Sequence, residues 1–284
     1  MRRPRGPLWH NGDFLLLWGA QSVSEVGSQI TNLALPLAAI LVLHATTFEV
    51  AALNVVDLLP FALFSLPAGV WVDRLRRRPI LIAADWGRGI ALASIPIAYA
   101  LGGLTLIQLF AVGFATGTLT VFFDVSYQAY LPSLVGREYI GDGNSKLEVT
   151  RSAAQVSGPG LAGVLIGALK APYTIALDAA SFVASALLMT AIRRVEELPE
   201  TLIASRKRMR EEIADGLRYV IGHPIMRPLL VFVAVSNFFS TLVFSIFRRV
   251  LHLPSSSPCA SSISARRPSA SSSRWRASER SSAR

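Results

Sequence analysis

Four arginines interrupt the apolar sequence in the segment Gly69-Val70-Trp71-Val72-Asp73-Arg74-Leu75-Arg76-Arg77-Arg78. An apolar run lies on each side of this segment, and each run is long enough to cross a bilayer as a helix. A turn with this charge cannot enter hydrocarbon, and short loops rich in arginine stay on the cytoplasmic side when helices insert. The segment therefore predicts a hairpin of two membrane helices whose turn lies in the cytoplasm.

The composition also indicates an integral membrane protein. Hydrophobic residues make up 52% of the 284 residues and charged residues 16%, against about 25% charged residues in soluble domains. The net charge of +10 would suggest nucleic-acid binding on a soluble surface, but the arginines lie between apolar runs. We therefore expect no nucleic-acid partner and interpret the charge as a determinant of membrane orientation.

Few residues of this chain could hold a metal or perform catalysis. Cys259 is its one cysteine, and its four histidines show no metal-binding spacing. No cluster of histidines and carboxylates, and no serine nucleophile with a base, is recognisable. We predict that the protein is not an enzyme and uses neither a metal nor a cofactor.

Six mainly apolar spans form the first region, residues 1–193. They are predicted at about residues 14–43, 49–71, 79–101, 105–135, 145–169 and 173–192. Basic loops alternate with loops that carry little positive charge, which places the N-terminus in the cytoplasm. The predicted location is the cytoplasmic (inner) membrane, where the multi-pass chain contacts lipid.

The rest of the chain divides into three parts. Residues 194–224 form a basic cytoplasmic loop, in which Met209, Ile213, Leu217 and Val220 predict an amphipathic helix, lying either on the membrane surface or against its own protein. Residues 225–247 predict a seventh membrane helix. Residues 248–284 are rich in serine and arginine and would break the charge rule outside the membrane. We predict a disordered tail and hypothesise that it is read out of frame or marks a truncation.

The pattern Gly69-x-x-x-Asp73-Arg74-x-x-Arg77-Arg78 resembles the signature loop of the major facilitator superfamily. The resemblance implies an all-α integral membrane fold, here the six-helix N-terminal half of a major facilitator fold with a seventh transmembrane helix and a disordered tail. It also implies that the loop gates the cytoplasmic helix ends, whereas a plain topogenic turn would need only the arginines. The missing Cβ of Gly69 is expected to allow another helix to approach closely.

A second pattern is Ser157-Gly158-Pro159-Gly160-Leu161-Ala162-Gly163. It resembles the Gly-Pro motif of the antiporter branches of the same superfamily in Gly158, Pro159 and Gly163, but it has Ala162 where a second glycine is common. Proline is expected to bend the helix, and the small residues to admit a neighbouring helix. The alternative is a generic kinked membrane helix.

Further stretches, among them Tyr130–Val135 and Gly216–Val220, are similar to the exporter branch that contains the enterobactin exporter and the secretion-effector permeases. This resemblance implies efflux of a small amphipathic molecule, such as a siderophore or a drug, by alternating access with protons as the coupling ion. Exporters of this kind often carry an arginine early in span 4, but Gly113 and Gly117 occur here without one. That departure weakens the expectation of proton coupling.

Polar side chains inside the spans are costly, and they therefore predict a cavity or a polar partner. Glu25, Gln29 and Asn32 share one face of span 1, and Glu25 is our first candidate for the group that exchanges protons. We expect three further residues to line the same cavity: Asp57 in span 2, and Asp124 and Gln128 in span 4.

Other charged residues allow two interpretations. Asp85 and Arg88 lie one turn apart in span 3, and we favour an internal ion pair over a transport role. Asp178 in span 6 could lie at the mouth of the cavity or form an interhelical hydrogen bond. We expect the chain, if truncated, to be inactive alone. The alternative is a membrane interaction protein without transport activity, or a half-transporter that associates with itself as a homodimer.

Overall fold

The computed structural model describes residues 8–194 and, further along the chain, residues 218, 222, 227–229, 231, 232, 235, 236 and 239. It contains two units, residues 1–216 and 217–284, which are considered separately. In the second unit the described positions have helical backbone, including those within the predicted seventh helix at 225–247. The predicted amphipathic helix, apart from residue 218, and the predicted tail at 248–284 lie outside the described residues.

Six α-helices form the first unit: α1 Gly12–Leu43, α2 Thr47–Asp73, α3 Arg77–Ala100, α4 Leu106–Val135, α5 Ile140–Leu169 and α6 Ala171–Ala191. All six are long and apolar enough to cross a membrane. Even α6, with 21 residues, reaches about 31 Å at 1.5 Å per residue, which matches a hydrocarbon core of about 30 Å. No strand occurs among residues 8–194. The predicted all-α membrane fold is confirmed.

The helix bounds differ from the predicted spans chiefly at α5, which begins at Ile140 and not near residue 145. A short 3-10 turn, Arg137–Tyr139, leads directly into this helix. The polar residues at the start of α5 therefore belong to a helix, although their composition is typical of a loop. This extension brings additional polar side chains to the region described below.

Side-chain caps define where several helices begin. Asn11 Oδ1 accepts a hydrogen bond from the Phe14 amide at 3.3 Å at the start of α1. Before α2, the Thr46 hydroxyl accepts from the Glu49 amide at 3.3 Å, and the Thr46 amide donates to Glu49 Oε2 at 2.7 Å. Each cap satisfies amides that have no partner inside the helix. The capping residues thus separate α1 and α2 from the chain segments that precede them.

The helices pack in a definite spatial order. Helix α1 packs against α5 and α6, α3 packs against α6 and α4, and α2 packs mainly against α4. Two clusters of buried apolar residues hold this arrangement together. One contains Phe14, Leu81, Phe123 and Met189 among others, and the other contains Leu53, Leu92, Leu109 and Ile175 among others.

Helices α2 and α5 are the least enclosed members of the bundle. Each buries one narrow stripe, Leu53, Pro60, Ala68 and Val72 on α2, and Gly143, Leu147, Ala154, Gly158 and Ala162 on α5. Large apolar side chains on their other faces are exposed, such as Leu58 and Leu66 on α2 and Val156 and Val164 on α5. These faces remain available to lipid or to another protein surface.

Candidate functional site

The arginine segment forms the turn between α2 and α3. Asp73 is the last residue of α2, Arg74 is its C-cap, and α3 begins at Arg77. Arg78 reaches across to the end of α6, where its Nε donates to the Met189 carbonyl at 3.2 Å and its Nη2 donates to the Thr190 carbonyl at 2.7 Å. The last carbonyls of a helix lack intrahelical donors and carry partial negative charge. Arg78 therefore ties α3 to the C-terminal end of α6.

Two further contacts lie at this end of the bundle. We call it the arginine end, after Arg78, Arg193 and Arg194, whose hydrogen bonds lie there. Arg194 Nη1 donates to the Leu134 carbonyl near the end of α4 at 2.7 Å. The Arg193 amide donates to Asp13 Oδ1 near the start of α1 at 3.0 Å. Charge-assisted bonds of this kind are the stronger class of hydrogen bonds. The arginine end is thus held by several bonds within one six-helix unit.

Gly69 does not have the neighbour that we expected. No heavy atom lies within 4 Å of the position that a Cβ at this residue would occupy, apart from its own helix. Among the described residues, no other helix comes close to α2 at Gly69. Close approach at Gly69 therefore remains a prediction about contacts with parts of the protein outside those residues.

Gly158 does allow a close helix contact. A Cβ added there would lie 3.2 Å from Gln29 Cγ and closer still to Gln29 Cβ, which is tighter than packed side chains tolerate. Gly158 belongs to the buried stripe of α5, while Gln29 lies on α1. The residue is small because α1 and α5 cross at this point.

The remaining motif positions behave differently. Helix α5 continues through Pro159 from Ile140 to Leu169. A Cβ at Gly163 would meet no atom within 4 Å, and the residue is exposed. The expectation that Gly163 admits a neighbouring helix is therefore not met among the described residues, because the buried stripe passes through Gly158 and Ala162 instead.

A cavity of about 1000 Å³ lies between α1, α4 and α5. Its wall includes Gln21 and Glu25 from α1, Asp124, Tyr127 and Gln128 from α4, and Asn144, Glu148 and Arg151 from α5. Three of the predicted cavity residues, Glu25, Asp124 and Gln128, are thus brought together from two helices. A mixed polar and apolar cavity of this size is typical of small-molecule sites.

The carboxylates in the cavity have few protein partners. Glu25 Oε1 accepts a hydrogen bond from Gln29 Nε2 at 2.9 Å. Among the residues that the structure describes, Asp124 has no hydrogen bond or ion pair, although it is partly buried. The side-chain amide oxygen Oε1 of Gln21 and the Tyr127 hydroxyl are buried and also lack protein partners in that part of the chain. The wall therefore offers hydrogen-bonding capacity that the six helices leave unused.

Three of the predicted residues are not part of this wall. Gln29 contacts Gly158, as described above, and Asn32 is exposed on α1. Asp57 lies at the crossing of α2 and α4, where a Cβ on Gly117 would overlap the Asp57 carbonyl oxygen. Asp57 does not line the cavity that the described helices enclose, so the expectation is not met there, because α2 packs mainly against α4 and not against α5.

The cavity also contains residues that we did not predict. Asn144, Glu148 and Arg151 all project from the first half of α5. Their spacing of four and three residues is a helical signal, and it was available from the sequence, since Glu148 and Arg151 lie within the predicted span 145–169. Only Asn144 lies before the predicted start of helix 5.

Asp85 and Arg88 form the predicted internal ion pair, in which Arg88 Nη2 bonds Asp85 Oδ1. Their exposed fractions are 0% and 5%. Ser185 on α6 donates to Asp85 Oδ2 at 2.6 Å, and the Arg88 guanidinium carbon lies 4.2 Å from the ring centres of both Phe123 and Phe182. The pair therefore joins α3 to α4 and α6 inside the bundle.

Asp178 on α6 is buried and does not line the cavity. Ser181 donates to Asp178 Oδ1 at 3.0 Å. A Cβ at Gly27 on α1 would overlap both of these side chains. Of our two interpretations, the structure therefore rules out a position at the cavity mouth, and Asp178 lies at the tight crossing of α1 and α6.

No group of histidine, cysteine, aspartate and glutamate side chains in the described residues could hold a metal ion. The polar cavity is therefore the main candidate site of the six-helix unit. Its chemistry is that of reversible binding through charges and hydrogen bonds.

Comparisons with known proteins agree with this architecture. A family model described as transmembrane secretion effector matches residues 4–253. No solved structure matches the chain significantly.

Several curated proteins are also similar in sequence. The multidrug efflux pump Tap of Mycolicibacterium fortuitum is 26% identical over 240 residues, which cover 80% of this chain and 55% of Tap. Macrolide efflux protein A of Streptococcus pyogenes is 26% identical over 207 residues, 72% of this chain and 50% of that protein. The uncharacterised transporter YfiS of Bacillus subtilis is 24% identical, over 78% of this chain and 52% of its own.

The chain spans about half the length of the curated relatives that it matches. The family match, in contrast, covers most of the chain and includes all six helices. Members of this group are multi-pass membrane transporters and not enzymes. The chain therefore belongs to the transmembrane secretion effector family of the major facilitator superfamily.

Proposed function

We propose that this chain supplies half of the translocation pathway of an efflux transporter in the cytoplasmic membrane. The observation that supports this proposal most directly is the cavity of about 1000 Å³, whose wall contains Glu25 and Asp124 within a bundle of apolar helices. Ionisable side chains inside membrane segments are rare because they are costly, and they commonly mark substrate or ion pathways. The names of Tap and macrolide efflux protein A support outward transport of a small amphipathic molecule, for which a drug or a siderophore is a candidate.

The proposed mechanism is alternating access. A second six-helix half would cover the cavity from the open side, and rocking of one half against the other would expose it to each side of the membrane in turn. The bonds at the arginine end support a role for that end as the rigid edge of one half, since Arg78 fastens α3 to α6. We place this end and the N-terminus in the cytoplasm on the charge rule.

We further propose that transport is coupled to proton antiport. Intramembrane carboxylates form the proton relays of many pumps and transporters. Glu25 and Asp124 are the candidates, because both line the cavity and neither forms an ion pair among the described residues. Their exchange of protons with one side of the membrane at a time would drive export against a gradient.

A second candidate function is that of a half-transporter, or a membrane interaction protein, that associates with itself. The open faces of α2 and α5 favour this reading, since each of these helices buries only one stripe within the described residues. Two copies related by a twofold axis would place these faces against one another and enclose two cavities. Single cysteines introduced at Leu66 or Val156, both exposed, in a chain whose Cys259 is replaced by serine would report such a dimer by crosslinking in membranes.

The experiment that tests transport uses proteoliposomes with an imposed pH gradient and a fluorescent amphipathic compound. One arm contains this chain, and a second contains the chain fused to the second half of Tap. Movement that depends on the gradient and is lost in Asp124→Asn supports coupled efflux. Absence of movement in both arms would refute it, and a crosslinked homodimer without movement would favour the interaction protein.

A further inference from the structure

We infer that the cavity between α1, α4 and α5 selects organic cations and disfavours anions. This inference rests on the proposed function, since it names the substrate class of the same cavity. The grounds are the charges of the wall, the partners those charges lack, and the unpaired polar atoms beside them.

The charges of the wall do not balance. Three carboxylates line the cavity, Glu25, Asp124 and Glu148, and they come from three different helices. Among the described residues of the wall, Arg151 on α5 is the one basic residue. One positive and three negative charges leave a net charge of −2 when all are ionised. Charges of one sign that line a cleft focus the electric field and raise the local concentration of the opposite ion, so this excess attracts cations.

The carboxylates are also incompletely compensated in the part of the chain that the structure describes, where Arg88 and Arg151 attract Asp124 but neither forms an ion pair with it. Neither Asp124 nor Glu148 has an ion pair or hydrogen bond there, and Glu25 has only the neutral amide of Gln29 as a donor. In contrast, Asp85 on α3 has both Arg88 and Ser185. The buried carboxylate of Asp85, which joins helices, thus has both a counter-charge and a hydrogen-bond donor. Glu25 and Asp124, which are partly buried, can therefore gain a partner from a ligand with positive charge.

Two buried polar atoms beside these carboxylates indicate which hydrogen-bonding groups a ligand could carry. The side-chain amide oxygen Oε1 of Gln21 accepts no hydrogen bond from a described residue, and the Tyr127 hydroxyl also has no partner there. A carbonyl oxygen can only accept, so it calls for an N–H or O–H donor on the ligand. Leu131, Ile140 and Leu147 supply apolar surface on the same wall. A protonated amine on an apolar frame satisfies all three requirements, whereas an anionic chelator would face two uncompensated negative charges.

The test measures binding to the purified chain in lipid nanodiscs, with empty nanodiscs as the background. The probes are tetraphenylphosphonium and tetraphenylborate, which have nearly the same size and shape and opposite charge. We expect the cation to bind at least about tenfold more tightly than the anion, because a net charge of two acts over a few ångströms in a medium of intermediate dielectric. Equal binding of the two ions, or no binding of either, would overturn the inference.

Charge variants on one helix provide the matched comparison. Glu148→Gln should weaken binding of the cation several-fold, and Arg151→Gln should strengthen it by a similar factor, since the two changes alter the wall in opposite directions. Asp142→Asn is the control. Asp142 lies on α5, is exposed and pairs with Lys146 at 2.8 Å, and it does not line the cavity. Its removal should leave binding unchanged. Effects of the same sign at residues 148 and 151, or an equal effect at 142, would contradict the assignment.

These measurements need neither a second half nor a gradient, so the two proposals fail separately. A chain that binds the cation selectively but moves nothing in either proteoliposome arm overturns efflux and leaves the cation site in place. A transporter that moves cationic and anionic probes equally well overturns the cation site and leaves efflux in place.

Discussion

Replacing Arg88 with methionine would leave the Asp85 carboxylate buried without its counter-charge. Both residues are almost fully enclosed, with exposed fractions of 5% and 0%. Methionine preserves apolar bulk between the rings of Phe123 and Phe182, so the change removes mainly the charge and its hydrogen bonds. Ser185 would remain as a donor to the carboxylate at 2.6 Å, but a single hydroxyl does not neutralise it.

The expected loss is large for a single substitution. Removing one partner of a buried ion pair costs about 3–5 kcal/mol, because the other charge stays buried. Part of that loss is the attraction of the guanidinium to the two rings, at most about 2 kcal/mol for a desolvated cation. The double variant Asp85→Leu/Arg88→Met removes both charges, and it should lie within about 1 kcal/mol of the original protein, since apolar replacements of buried pairs are often neutral.

The assay is unfolding in mixed detergent micelles with increasing sodium dodecyl sulfate, followed by the loss of helical circular dichroism. Asp142→Asn is the control, because its exposed pair with Lys146 should contribute at most about 0.5 kcal/mol. If Arg88→Met cost no more than this control, or if the double variant were as unstable as the single one, the buried pair would not hold α3, α4 and α6 together.

Two further predictions use the same unfolding assay. Gly158→Ala should destabilise the bundle by about 1–3 kcal/mol because the new Cβ overlaps Gln29. The control Gly160→Ala meets no atom within 4 Å and should change stability by at most about 0.5 kcal/mol. Equal effects of the two substitutions would show that α1 and α5 do not cross closely. Arg78→Ala should cost about 1–2 kcal/mol and speed amide hydrogen exchange in the last turn of α6, since two carbonyls lose a charged donor. Arg76→Ala removes the same charge from an exposed N-cap without a side-chain bond, so faster exchange in that variant as well would contradict a specific role for Arg78.

Local sequence was sufficient to predict the helices and their approximate ends. Apolar runs must be about twenty residues long to cross a bilayer, and the capping residues Asn11 and Thr46 mark two of the starts. The start of α5 was predicted too late because residues 140–145 are polar and composition alone does not distinguish a polar helix from a loop. That error left Asn144 out of the predicted helix, whereas Glu148 and Arg151 lay within the predicted span and their shared face with Asn144 was not recognised.

The sequence alone determined the membrane class, the six helices and the likeness to the major facilitator superfamily, because these depend on the length of apolar runs and on a motif read along the chain. The arginine segment also predicted where the hairpin of α2 and α3 turns. Only the tertiary structure decided which polar residues meet. Glu25 and Asp124 share a cavity while Asp57 faces Gly117, since the rotation of each helix and its choice of neighbours are set by packing between helices that are distant in sequence. Likewise, the partners of Arg78 on α6 lie more than a hundred residues away, and no local pattern encodes a contact over that distance.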